Sequence, residues 1–175
     1  ILFTNLKSYR LLRLVNNIID MNKIDYGYYD IELGNYNIVS VVEDITMSVL
    51  EYIKNKGIEL IFDTDTEEEI IACDPDKIER IILNLLSNAI KYTRPDGKII
   101  VNINSDKENV YISVKDTGIG MPKQKLNKIF NRYEQIDNNL TKSFNGSGIG
   151  LSLVKSLVEL HGGVVYLEKN VEQGC

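Results

Sequence analysis

From Asp74 to Thr93 the sequence writes one helix with a single apolar face, and that face dictates what the rest of the chain must supply. Asp74-Pro75 opens it, a carboxylate at the N-cap and then a proline at the first helical position, where its missing N–H costs nothing. Ile78, Ile81, Ile82, Leu85 and Ala89 follow at helical spacing, and Pro95-Asp96-Gly97 turns the chain away. A helix that is apolar on one side only must bury that side against a second layer.

The flanking segments supply the layer. Tyr29 to Tyr36, Ile58 to Asp63, Ile70 to Cys73, Lys98 to Asn104, Asn109 to Lys115 and Val164 to Lys169 read as strands. Asn37 caps a helix whose Ile38, Val41, Val42, Ile45, Val49 and Ile53 form one stripe ending at Gly57. A short helix follows Pro122, and a last one runs from Ile149 to Leu160 before Gly162-Gly163. Strands and helices interleave, but two successive strands share a tight polar turn. The expected fold class is therefore α/β (an α+β sandwich), with a mixed β-sheet covered by helices.

Before this sandwich, residues 2 to 25 contain neither Gly nor Pro. Leu11, Leu14, Ile18 and Met21 alternate steps of three and four, with Val15 and Ile19 beside them. That is the seam of a helix packing on other helices, although two heptads fit a plain amphipathic helix equally well. Tyr26-Gly27-Tyr28-Tyr29 breaks the pattern, so the boundary is set there, with residues 1–28 as one unit and 29–175 as the other.

Composition excludes several classes of function. Lys plus Arg number 20 against 25 Asp plus Glu, a net charge of -5, which argues against a general grip on nucleic acid. A local basic pocket for a phosphorylated small molecule stays open. Two distant cysteines, Cys73 and Cys175, one histidine and no CxxC give no zinc set. No apolar run approaches the roughly 20 residues of a membrane span, and no signal segment stands at the start. The chain opens inside a helix pattern and stops after a strand pattern, so it reads as an excised piece.

Three constellations can carry chemistry. Asn84, Asn88 and Lys91 fall on a stripe along the edge of the apolar face of the 74–93 helix. Two asparagines at i, i+4 sacrifice helix propensity. A solvated edge explains the spacing as well as function does, but an amide oxygen can join a Mg2+ shell and Lys91 can meet phosphate. Asp116-Thr117-Gly118-Ile119-Gly120 follows a strand with inward Val110, Ile112 and Val114. A strand-end carboxylate can accept from an exocyclic amine such as adenine's, and the glycines let backbone approach a flat ring. A tight turn explains this motif alone. Gly146-Ser147-Gly148-Ile149-Gly150 opens a helix, where unpaired N–H groups make a phosphate cradle. It matches neither the dinucleotide fingerprint, which needs glycine where Leu151 stands, nor the P-loop. The motifs of serine/threonine kinases are missing too.

Taken together, these boxes resemble sensor histidine kinases. Asn84 to Thr93 resembles their N box, Asp116 to Gly120 the first glycine box, Phe130 with Tyr133 the F box, and Gly146 to Gly150 the second glycine box. The Leu160-His161-Gly162-Gly163 ending fits as well, and order and spacing agree from about residue 30 to 175. Leu11 to Asp20 resembles the second helix of the family's dimerisation and phosphoacceptor hairpin.

The resemblance implies an ATP-binding sandwich with helices on one face of a mixed sheet. Asp116 would meet the adenine amine, with Tyr92 and Ile119 against the ring and Gly118 and Gly120 beside it. Asn88 would hold Mg2+. Lys91 and the Gly146, Gly148 and Gly150 backbone would take the phosphates, with Phe130, Ser147, Ile149 and Leu151 also lining the nucleotide site. Asn84 and Lys91 would be catalytic. Where related ATPases carry a water-activating glutamate, this chain has Asn84, and an amide cannot be a general base. The implied reaction is γ-phosphoryl transfer from MgATP to a histidine, with positioning and charge neutralisation supplying the rate.

That histidine belongs to a hairpin helix of the same or the partner subunit. His161, the one histidine present, matches a structural position, so the chain alone is not expected to phosphorylate itself. The implied partners are ATP, the histidine-bearing hairpin, a response regulator receiver domain and a second subunit in a homodimer, with no nucleic acid. The implied location is cytoplasmic, a membrane tether of the full-length protein being left open. The polar, Asn-rich stretch 131–147 is expected to form a lid over the nucleotide, and there the position where many members carry arginine holds Gln135, leaving Arg132 or Lys142 as substitutes. The family adds a further strand after Glu172-Gln173-Gly174-Cys175.

Overall fold

The structure, a computed structural model, describes residues 15–121, 128–132, 148–168 and 174. A first helix, α1, covers 15–25. Then come β1 (Gly34–Asn37), α2 (Ile38–Ser48), α3 (Leu50–Lys54), β2 (Glu59–Thr64), β3 (Ile70–Cys73), α4 (Pro75–Tyr92), β4 (Lys98–Ser105), β5 (Val110–Asp116) and α5 (Gly150–Leu160). Among the described residues no helix is long and apolar enough to cross a membrane.

The strands form two sheets. β2, β4 and β5 make a mixed sheet, β2 running parallel and β5 antiparallel to the central β4. β1 and β3 pair antiparallel in a separate two-stranded ladder. On β4, Ile99, Val101 and Ile103 are fully buried, while the residues between them are not. Val110, Ile112 and Val114 of β5 are more covered than Tyr111, Ser113 and Lys115, as the alternation predicts. One sheet face is thus buried, and α4 crosses β4 and β5 there, flanked by α2 and α5. Ile78, Ile81, Ile82, Leu86 and Ala89 of α4 share the core with Leu153, Val154 and Leu157 of α5.

Local chemistry explains the element ends. Asn37 caps α2 as expected, its Oδ1 accepting from the Val39 N–H at 3.1 Å and the Glu69 N–H at 3.2 Å. The single helix expected from Asn37 to Gly57 instead breaks at Val49, between α2 and α3. Just before the break, the Thr46 hydroxyl donates to the Val42 carbonyl (2.7 Å) and the Ser48 hydroxyl to the Ile45 carbonyl (2.6 Å). Such back-bonding competes with the helix ladder and bends it. Asp74 caps α4 with Pro75 in the first turn, as read from sequence.

Two strand expectations change. β1 starts only at Gly34. Residues 163–168 belong to no strand, although their exposure alternates: Val164 and Tyr166 are 81% and 66% exposed, while Val165 packs against the core. The side-chain alternation was legible, but period two alone does not supply a ladder partner. The helix expected after Pro122 lies largely outside the described residues, and its described end, residues 128–132, is turn.

Candidate nucleotide-binding site

The eighteen residues of α4 span about 27 Å, and each end is pinned to a different part of the fold. At its start, the Asp74 carboxylate accepts from the backbone N–H groups of Asp76 (3.1 Å), Lys77 (3.3 Å) and Glu32 (3.0 Å). Burial pushes the Asp74 carboxyl up, but the Glu32 and Lys77 N–H groups and the Lys77 ammonium outweigh it and leave it below the usual range. The Asp74 N–H donates to Nε2 of His161 (3.1 Å), whose Nδ1 faces the Leu157 carbonyl (2.8 Å). The ring therefore carries its proton on Nδ1 and joins the starts of α4 and the end of α5. His161 is a clasp between two helices.

The other end of α4 is stitched to the Asp116–Gly120 turn. The Ile119 N–H donates to the Tyr92 carbonyl at 3.2 Å. The Thr117 N–H reaches the Lys98 carbonyl at 3.0 Å, and the Lys98 N–H reaches the Thr117 hydroxyl at 2.8 Å. Asp116, only 7% exposed, accepts from the Gly118 N–H through Oδ1 at 2.8 Å. A Cβ on Gly118 would lie 2.4 Å from the Tyr92 carbonyl oxygen, so only glycine permits this approach. The Asp116–Gly120 turn is thereby held against the end of α4, whose last turn carries Lys91 and Tyr92.

Lys91 lies over the Tyr92 ring, 4.7 Å from its centroid, and donates to the Tyr92 hydroxyl at 3.0 Å. Asn88 is half-buried. Asn84, one turn earlier, is buried and donates through Nδ2 to the Arg80 carbonyl at 2.7 Å. Its Oδ1 faces the start of α5, where a Cβ on Gly150 would come within 3.2 Å. Asn84 thus sits between α4 and α5. No side chain caps α5, and Gly148 adopts φ +69 just before it. The start of α5 is the positive end of a helix dipole, which suits an anion.

The other expected site residues differ in exposure. Ile149 is buried in the core and, with Ile18, Met21, Asn22 and Arg132, lines a small groove beneath α1. Ile119 is exposed, whereas Tyr92, Phe130 and Leu151 are half-buried. Gly146, Ser147, Tyr133, Gln135 and Lys142 lie outside the described residues.

Sequence reasoning missed how α1 is held. Arg80 of α4 pairs with Asp20 and donates to the Tyr29 hydroxyl (3.1 Å) and to Asn17 Oδ1 (3.4 Å). Arg132 places both guanidinium nitrogens on the Asp25 carboxylate, and these hydrogen bonds hold that carboxyl below its ordinary range. Met21 is buried in the core of the sandwich, but Val15, Ile18 and Ile19 remain exposed. The apolar seam therefore splits between two faces. Nothing local in the sequence marks the ionic partners, which lie far apart along the chain.

A mixed sheet with helices packed on its buried face makes a two-layer α/β sandwich, and a buried carboxylate, Asp116, closes its last strand. Residues 73–175, more than half of the chain, match the family of histidine kinase-, DNA gyrase B- and HSP90-like ATPases, and the chain belongs to that family. It is 31% identical over 166 residues to the circadian input-output histidine kinase CikA of Synechococcus elongatus, covering 94% of this chain and 22% of CikA.

Among solved structures it resembles the nucleotide-free catalytic domain of the histidine kinase ThkA, with a TM-score of 0.71 and 28% identity over 82% of this chain and 90% of that one. Full-length ShkA in complex with AMPPNP gives a TM-score of 0.82 and 26% identity over 94% of this chain and 34% of ShkA. The fold is that of a histidine kinase catalytic domain, mixed sheet and helical layer included. The chain spans only 10% to 28% of the length of the first four curated relatives it matches.

Proposed function

We propose that this chain is the ATP-binding catalytic module of a sensor histidine kinase, with residues 1–28 the second helix of its dimerisation hairpin and 29–175 the catalytic domain. The observation that supports the reading is the stitch between Tyr92 and Ile119, which holds the Asp116–Gly120 turn against the end of α4. In this arrangement Asp116 accepts a hydrogen bond from the adenine amine. Tyr92 and Ile119 flank the ring, Gly118 and Gly120 give it room, and Phe130 and Leu151 add to the wall. Lys91 turns from Tyr92 to the phosphates, which the N–H groups from Gly146 to Gly150, Ser147 included, receive at the start of α5.

Asn88 offers a neutral oxygen donor on the edge of α4, which fits a hard cation whose remaining ligands are phosphate oxygens and water. Asn88 would hold Mg2+, which when bound neutralises charge between the phosphates. Asn84 orders the junction of α4 and α5 and, as an amide, cannot itself act as a general base for water. Transfer of the γ-phosphoryl to a histidine nitrogen is the reaction this supports, with the acceptor on the hairpin of the same or the partner subunit. A response regulator receiver domain takes the group next, and the full-length protein works as a homodimer in the cytoplasm.

The test is to mix the chain with MgATP and a separately made hairpin bearing the acceptor histidine. The expected product is an acid-labile, base-stable phosphohistidine on the hairpin, with none on the chain alone. Phosphate release without any acceptor, and no labelled hairpin, would replace this reading with a hydrolysing ATPase.

A further inference from the structure

Gly174 is buried and stands against the turn that carries Asp116, though it is remote from it in sequence. A Cβ built on it would lie 1.9 Å from the Asp116 carbonyl oxygen, 2.8 Å from the Asp116 carbonyl carbon and 2.9 Å from the Thr117 Cα. All three are backbone atoms, which cannot swing aside as the end of a side chain can. Ordinary carbon contacts need about 3.5 Å, so the backbone of Asp116 would have to retreat by more than about an ångström. The other side of the turn closes on the same residue. A Cβ on Gly120 would meet the Gly174 carbonyl oxygen at 3.1 Å and its nitrogen at 3.4 Å. Gly174 thus fills the inside of the curl between Asp116 and Gly120, and its φ of +95 suits glycine.

We infer that Gly174 is a positioning residue for base recognition, the brace that sets the Asp116 carboxylate at hydrogen-bonding distance from the purine. The inference rests on the reading of Asp116 as the acceptor of the adenine amine. Gly174 touches the main chain of the residue that reads the base, so any displacement of that main chain carries the carboxylate with it. Hydrogen-bond lengths tolerate only a few tenths of an ångström before the bond weakens, and a shift of an ångström forfeits it. Thr117 shares the contact, so its bonds to Lys98 move in the same direction. The stitch from Ile119 to Tyr92 anchors the turn on one side, and Gly174 anchors it on the other.

The experiment compares binding of ATP and of inosine triphosphate, which carries an oxygen in place of the amine. Calorimetry on the parent chain, Gly174→Ala and Gly162→Ala supplies the two affinities for each. Gly162 is the matched control, because it also has a positive φ (+76) but nothing within 4 Å of its built Cβ. The parent should prefer ATP, and Gly174→Ala should lose that preference by about tenfold or more, the size of one hydrogen bond to a charged acceptor. Gly162→Ala should keep it, whatever it costs in stability.

Should Gly174→Ala fail to fold, Gly120→Ala pushes on the same contact from the opposite side. The three atoms nearest its new methyl all belong to Gly174, and the preference for ATP should fall there too with inosine triphosphate affinity kept, whereas a methyl intruding on the ring would weaken both nucleotides alike. A parent that prefers ATP while both variants retain the full preference overturns the inference alone. A parent with no preference overturns the Asp116 assignment and the inference with it.

Discussion

Replacing Asp116 by Asn changes one atom of a side chain that is 7% exposed and already committed through Oδ1 to the Gly118 N–H. The asparagine oxygen can keep that 2.8 Å bond, so the turn and its stitch to Tyr92 survive. An NH2 group then stands where the second carboxylate oxygen stood. Toward adenine, a donor faces a donor, and the charge that strengthened the bond is gone. A hydrogen bond to a charged group contributes about 1.5–3 kcal/mol, so ATP affinity should drop roughly 10- to 150-fold. Inosine triphosphate presents an acceptor at the same carbon, and its affinity should rise in the variant.

Titration calorimetry with both nucleotides and excess magnesium measures the exchange, and a thermal melt without nucleotide checks that the fold is kept. Equal ATP binding by parent and variant would remove Asp116 from the base site. A parallel loss for both nucleotides would mean that the substitution damaged the cleft and did not alter its reading of the base.

Two further predictions concern stability. Asp74→Ala removes the cap of α4 and the acceptor for the Glu32 N–H, so unfolding free energy should fall by about 2–3 kcal/mol in denaturant titrations. Because the folded-state pKa of Asp74 is depressed, its contribution is complete above the ordinary aspartate value of about 3.9 and lost as pH falls through the folded value. The gap between parent and Asp74→Asn should therefore close in acid, and a gap independent of pH between 2 and 6 would contradict the assignment. Leu86, 1% exposed in the middle of α4, should cost about 2–5 kcal/mol when cut to Ala. A loss under about 1 kcal/mol would show that the layer between α4 and the sheet is looser than the packing implies.

What the sequence made legible divides along physical lines. The α4 helix could be read almost to the residue, because its cap, its proline and its apolar spacing all act within a few positions. The inward residues of β5 were readable for the same reason, period two being a local property. The break at Val49 was not, since Thr46 and Ser48 can point their hydroxyls to solvent as easily as to a carbonyl. The burial of the Ile149 side chain in the core was not legible either, since its neighbours in the glycine-rich stretch give no apolar period. From sequence Arg132 stands only as a substitute for the lid arginine and Arg80 carries no assigned role, and their partners Asp20 and Asp25 are visible only once the chain has folded back on itself. Gly174 gave no local sign at all, because its constraint comes from the backbone of a distant strand end.

Asp20 and Asp25 lie five residues apart, which places them about 140° around the axis of the first helix and roughly 7.5 Å along it. Two guanidinium groups from different parts of the domain therefore grip that rod from different sides. A rod held so cannot roll freely in place. Any torque reaching residues 15–25 must drag the asparagine-bearing helix and the Arg132 loop with it, or tear a guanidinium from its carboxylate.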